Sequence, residues 1–114
     1  GLPRDGLRAV RAATQTGGAY LLVSDAEILA AIAELGSVGI FAEPAASAAY
    51  AGLVKAVRQG LVQPDEPILV MNTGSGLKDV RAAVQAVAPA PVIEPSLPAL
   101  KNFLDSLDKI GARG

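Results

Sequence analysis

The sequence predicts an α/β fold, a three-layer α/β/α arrangement around a short, mostly parallel sheet. Three observations carry this. Short apolar segments alternate with amphipathic helical stretches along all 114 residues. The segments Ala19–Val23, Val38–Ala42 and Ile68–Met71 lack polar alternation, as strands covered on both faces do. Helix-start signals follow the strand candidates, so the connections read as crossovers. Counting a short edge strand at Val92-Ile93, three or four strands are available. That is thin for an open sheet.

The elements follow in order. Asp5 caps a first helix carrying Leu7, Val10 and Ala13, closed by Gly17-Gly18. After Ala19–Val23, Ser24-Asp25-Ala26-Glu27 is a capping box, with Ser24 at N-cap and Glu27 reaching back. The helix behind it sets Ile28, Ile32 and Leu35 on one face and stops at Gly36. Val38–Ala42 then leads to Pro44 at the first position of a third helix. Ala46, Tyr50, Leu53 and Val57 form its expected buried stripe, and Gly60 ends it. Gln63–Pro67 is a polar turn, and Ile68–Met71 runs directly into Asn72-Thr73-Gly74-Ser75-Gly76. A fourth helix, Asp79–Val87, is expected to face Val80, Ala83, Val84 and Val87 inward. Four prolines make residues 89–98 an extended connection to a final helix at 96–110, capped by Ser96 and ending at Gly111. That helix presents Leu100, Phe103, Leu104 and Leu107. The whole reads as one α/β domain over residues 1–114.

Composition narrows the chemistry. Ten basic against eleven acidic side chains give a formal net charge of −1, and the pI is about 5.3. Neither nucleic acid nor an anionic membrane surface is an expected partner of such a chain. Cysteine is absent, which excludes a disulfide framework, a thiolate nucleophile and a Cys-based zinc site. Histidine is absent too, removing the commonest general base and the usual transition-metal ligand. If the chain belongs to an enzyme, the reactive group comes from outside it. The longest apolar stretches, such as Ala48–Val57, fall short of the ~18–20 residues of a membrane span. No signal-peptide pattern is visible, so the expectation is a cytoplasmic protein or a piece of one.

Two constellations are candidates for a site. Ile68–Val80 is a strand–glycine loop–helix unit, and ligands of open parallel sheets bind beyond the carboxyl ends of strands. Thr73-Gly74-Ser75-Gly76-Leu77-Lys78-Asp79 is not a Walker A loop, because Leu77 separates Gly76 from Lys78. It is not a dinucleotide fingerprint either. It reads equally as a ligand-free turn or as a rim of amides suited to anions and ring heteroatoms. The second constellation is Phe41-Ala42-Glu43-Pro44. Glu43 is either a simple N-cap that complements the helix dipole or a residue facing the same crevice as Thr73. Lys78 opposes the dipole of the following helix, which fits either an exposed lysine or an external salt bridge.

Together, GIFAEPAASAAYAGLVKAVRQGLV and TGSGLKD resemble the C-terminal part of threonine synthase, within the pyridoxal-phosphate enzymes of the tryptophan-synthase-β (fold type II) class. The stretch AVRAATQTGGAYLLVSDAEILAAIAEL is similar as well, and the likeness covers roughly residues 1–86. The resemblance implies an enzyme converting O-phospho-L-homoserine and water to L-threonine and phosphate, with pyridoxal 5'-phosphate (PLP) doing the carbanion chemistry. It also implies a soluble homo-oligomer acting on a small amino-acid substrate, in which the rest of the parent enzyme is this segment's partner. It assigns Thr73 to the pyridine nitrogen of the cofactor, Gly74 to the same cofactor-binding loop, and Glu43 to the same ring edge. Ser75 falls at a variable position and takes no role. Ala45-Ala46-Ser47 departs from the Ala-Gly-Ala or Ala-Ser-Ala of many relatives. The Schiff-base lysine of the family, in a Ser-Phe-Lys-like context, has no counterpart among Lys55, Lys78, Lys101 and Lys109, so no catalytic residue is expected in the chain. A serine/threonine dehydratase-type fragment and a non-catalytic α/β interaction module are the alternatives. A receiver-type signalling domain is disfavoured, since no Asp ends a predicted strand.

One outcome follows for the chain by itself. Borohydride reduction after incubation with PLP, read by peptide mapping, should find only scattered surface labelling. One stoichiometrically modified lysine would show that the reactive group lies within these residues after all.

Overall fold

A computed structural model describes residues 5–111, with side chains described as far as residue 107. Lys109 and the residues at both termini lie outside that account. Among the described residues five helices occur in order: α1 (Gly6–Thr16), α2 (Asp25–Ser37), α3 (Pro44–Arg58), α4 (Val80–Ala86) and α5 (Leu97–Gly111). A single 3-10 turn at Gly76–Lys78 precedes α4.

The expected three-layer α/β/α sheet architecture is not found. Among the described residues there is no strand, and the only pairing is an isolated antiparallel bridge between Ala42 and Ser75. The physical reason is that a strand exists only with a partner. Backbone N–H and C=O groups of an extended segment need a neighbouring ladder, which the segments 19–23 and 68–71 lack here. Their side chains show the same deficit, with Leu22 89% and Leu69 84% exposed. The apolar pattern reports what these segments would bury, not whether a neighbour lies beside them. The proposed edge strand at Val92-Ile93 is likewise unpaired and exposed.

Where the determinants are local, the elements form as expected. At α2 the capping box is complete: the Glu27 amide donates to Ser24 Oγ at 3.2 Å, and the Ser24 amide donates to Glu27 Oε2 at 2.6 Å. These bonds from Ser24, and then the Lys55 ammonium, hold the Glu27 carboxyl below its ordinary range. Pro44 opens α3 at its first turn, and Gly60 at φ 68 lies just past its end. Gly17 closes α1 at φ 69. Asp5 occupies the N-cap of α1 without a capping bond; its carboxylate instead pairs with Arg8 at 3.6 Å. The Gln63–Pro67 turn is held by the Gln63 amide on Glu66 Oε2 at 2.8 Å. Ser96 caps α5 through the Ala99 amide at 3.3 Å.

The helices pack around α2, which lies against both α3 and α4; α1 and α5 make no comparably extensive contact. The buried set is Ala31, Ile32 and Leu35 of α2, Ala42, Ala46, Ala51 and Ala56 from the α3 side, and Ala82 of α4. The stripe on α3 is therefore rotated from the expected one. Its buried residues are Ala46, Ser47, Ala51 and Ala56; Tyr50 packs at the edge of the cluster and Val57 points outward. Alanine and serine win these positions because small side chains let two helices approach closely. Ser47 is fully buried, and its hydroxyl has no hydrogen-bond partner among the described residues. On α4, Ala82 is buried, while Val80, Val84 and Val87 are exposed rather than inward. They line an open apolar groove of about 610 Å³ with Ile32, Ala33 and Phe41. Lys55 of α3 reaches across to the Leu22 carbonyl at 2.7 Å and to Glu27 at 3.5 Å, pinning the entry of α2.

The radius of gyration is 19.0 Å, against about 13 Å for a compact domain of this length. Much apolar area is thus left in water. The chain on its own should bind a hydrophobic dye and associate with rising concentration in sedimentation. A monomer at every concentration that binds no dye would contradict the exposure described here.

Candidate functional site

The site grows from the join between α2 and α3. Gly39, at φ 84, lets the chain double back, so that the Ile40 amide bonds the Leu35 carbonyl at 2.9 Å. Residues 40–43 then run extended beneath the loop 72–76. Two backbone bonds stitch them together. The Glu43 amide donates to the Gly74 carbonyl at 3.0 Å, and the Gly76 amide donates to the Phe41 carbonyl at 2.9 Å. Ala42 is buried at the centre of this bridge.

The two glycines stand where other segments come close. Neither has a positive φ, since among the described residues only Gly17, Gly39 and Gly60 do. A Cβ on Gly74 would overlap the Glu43 carboxylate, and one on Gly76 would overlap the Phe41 ring. The glycines let two segments touch side chain to backbone, where spacing left a ligand-free turn and a rim of freed amides equally open. From Gly76 to Asp79 the amides are committed. Gly76 N–H goes to Phe41, Leu77 N–H to Ser75 Oγ at 3.3 Å, Lys78 N–H to the Ser75 carbonyl and Asp79 N–H to the Gly76 carbonyl, both at 3.1 Å. Asp79 in turn caps α4, accepting from the Ala82 amide at 3.0 Å. The loop from 76 to 79 therefore presents no anion cradle.

Side chains carry what chemistry remains. Thr73 is exposed at the mouth of the loop, beside Gly74, whose carbonyl holds the Glu43 amide. Glu43 sits at the N-cap of α3 but makes no capping bond; its Oε1 accepts from Lys78 Nζ at 3.3 Å. Glu43 and Lys78 are 18% and 63% exposed at their side chains. The structure thus brings Thr73, Gly74 and Glu43 to one place. It adds two residues that sequence reasoning left without a role there, Lys78 and Phe41. The signal for Lys78 was its unfavourable position before a helix start; Phe41 carried no signal in the sequence.

The family profile of the pyridoxal-phosphate dependent enzymes matches residues 1–74, a span that takes in Glu43, Thr73 and Gly74. The chain belongs to that family. Among relatives of the pyridoxal-phosphate enzyme chain, the threonine synthase of Mycobacterium tuberculosis is 42% identical over 96 residues, covering 81% of this chain and 27% of the relative. The threonine synthase of Methanocaldococcus jannaschii is 38% identical over 108 residues, 94% of this chain and 27% of that one. That of Halalkalibacterium halodurans is 37% identical over 97 residues, 84% and 27%. The chain spans about a quarter of the length of the curated relatives it matches. No helix among the described residues is long and apolar enough to cross a membrane.

The proximity requirement is open to measurement. Gly76→Ala forces the Phe41 ring or the bridge to move and should destabilise by about 1–3 kcal/mol, with faster exchange of the Glu43 amide. Gly52→Ala, where nothing lies within 4 Å of the new methyl, should be neutral or mildly stabilising. Equal thermal midpoints for the two variants would remove the steric reading of Gly76.

Proposed function

We propose that residues 1–114 are the C-terminal segment of a threonine synthase-like lyase that converts O-phospho-L-homoserine and water to L-threonine and phosphate. The observation that carries the reading is the convergence of Thr73, Gly74 and Glu43 at the 42–75 bridge. Its support from outside the chain is the threonine synthase name of relatives near 40% identity, which favours it over a dehydratase-type or non-catalytic reading. In this reading the segment works with the rest of the parent enzyme, in a cytoplasmic, self-associating protein with a small amino-acid substrate. Residues 89–98 serve as the connection to the last helix.

The donor set fits one edge of pyridoxal phosphate. A pyridine nitrogen needs a hydrogen-bond donor, and Thr73 offers a hydroxyl at the exposed mouth of the loop. The cofactor phosphate needs several donors together, and the amides of residues 76–79 are already bonded within the chain. The family resemblance implies that phosphate binding and the Schiff-base lysine belong to other parts of the enzyme. Bound at this edge, the cofactor supplies the electron sink for carbanion chemistry on the amino acid. Thr73 orients the ring by donating one hydrogen bond. Being neutral, the hydroxyl does not hold the ring nitrogen protonated as a carboxylate would. Gly74 leaves room for Glu43 to lie against the loop that carries Thr73.

Thr73→Val in the full-length enzyme keeps the shape and removes the donor, leaving a ring nitrogen unpaired at a cost of about 1–3 kcal/mol. The expected result is a kcat lower by roughly ten- to a hundredfold, weaker cofactor binding and an unchanged fold. Wild-type kcat and cofactor affinity in that variant would make Thr73 a turn residue and end this assignment.

A further inference from the structure

We propose that Lys78 is a positioning residue for the candidate site, clamping Glu43 against Gly74 and so fixing where the loop presents Thr73. The inference rests on the reading of Thr73 as a cofactor-facing residue.

Two departures from local chemistry point to the pair. Glu43 stands at the N-cap of α3, where an acidic side chain normally turns onto its own helix, yet it makes no such bond. Lys78 stands just before the start of α4, where a cation opposes the helix dipole. Each side chain gives up its local electrostatics for a partner 35 residues away, at 3.3 Å.

The burial of the two partners is unequal, and this sets their roles. Glu43 is largely enclosed, with its carboxylate against the bare face of Gly74, while Lys78 is mostly in solvent and closes over the carboxylate from outside. A carboxylate that is mostly withdrawn from water needs a counter-charge, and the ammonium supplies it. The pair also bridges both backbone segments of the site. Glu43 is anchored by its amide to Gly74, and Lys78 by its amide to Ser75, so the ion pair closes a ring of bonds around residues 74–78. Thr73 is the residue that immediately precedes that ring. With its Oε1 engaged by Lys78, Glu43 acts on the site through the loop, and Thr73 remains the donor to a bound ring.

The full-length enzyme tests this with Lys78→Met, Lys78→Arg, Glu43→Gln, the Glu43→Gln/Lys78→Met double variant and Thr73→Val. The readouts are the dissociation constant of pyridoxal phosphate from the apoenzyme, the visible absorption maximum of the bound cofactor, and the apoenzyme circular dichroism. Lys78→Met and Glu43→Gln should each weaken cofactor binding roughly fivefold and move the absorption maximum in the same direction. The double variant should be no worse than the weaker single, as for two halves of one contact. Lys78→Arg should restore binding to within about twofold, because a single-pronged ion pair tolerates a guanidinium. If Lys78→Met does not fold, Lys78→Gln gives the same comparison. Unchanged binding in Lys78→Met, strictly additive losses in the double variant, or no rescue by arginine would each overturn the clamp. If Thr73→Val weakens binding and Lys78→Met does not, only the clamp is lost. If neither variant changes binding, the cofactor-edge reading falls and takes the clamp with it.

Discussion

The arrangement of the site depends on how closely the Gly74–Gly76 loop lies on Phe41–Glu43. Two glycines with no positive φ, each facing a side chain where a methyl group would sit, bring the loop into contact with the start of α3. That contact places the Glu43 amide on the Gly74 carbonyl and puts Thr73 at the rim. It also engages the Gly76 amide, and the turn that follows engages those of Leu77, Lys78 and Asp79, so from Gly76 onward the chemistry open to the loop passes to side chains. Gly-rich loops after apolar segments are commonly read as anion sites. Here the glycines serve packing, and charge enters through Glu43 and Lys78.

The same contact explains why two helices and a loop hold together without a sheet. Ala42 and Ser75 form the only bridge among the described residues, and its interior side is filled by Leu35 and Ala46. Larger apolar residues lie elsewhere and outward: Leu22, Leu69 and Met71 on the extended segments, Val80, Val84 and Val87 along the groove of α4. Burial of large side chains supplies most of the stabilisation of ordinary domains. In these residues the enclosed surface is chiefly methyl groups of alanine.

What could be read from the residues divides along one physical line. Signals satisfied within a few residues were legible: the Ser24–Glu27 box, Pro44 at the start of α3, Gly17 and Gly60 at helix ends, the Gln63–Glu66 turn and Ser96 before α5. Signals needing a distant partner were not. Ile68–Met71 has the apolarity of a buried strand but no ladder beside it. Periodicity on α3 singled out Ala46, Tyr50, Leu53 and Val57; close helix packing keeps Ala46 and adds Ser47, Ala51 and Ala56. Thr73, Gly74 and Glu43 are pointed to by family resemblance alone, and in the structure they lie near one another. The role of the glycines stayed open between a ligand-free turn and a rim of amides, because a need for proximity leaves no trace in spacing. Lys78 was visible only as a charge in the wrong place.

A core made of alanine reverses the usual direction of mutational sensitivity. Trimming a large buried side chain opens a cavity, but Ala31, Ala46, Ala51 and Ala56 have almost nothing to trim. The damaging changes here are additions. Each extra methylene between α2 and α3 pushes the helix axes apart, and a rigid helix carries that shift to both its ends. The N-terminal end of α3 is Glu43. Conservative-looking replacements such as alanine to valine, two turns away from the loop, would therefore register at the 42–75 bridge as a change in the spacing between Glu43 and Gly74.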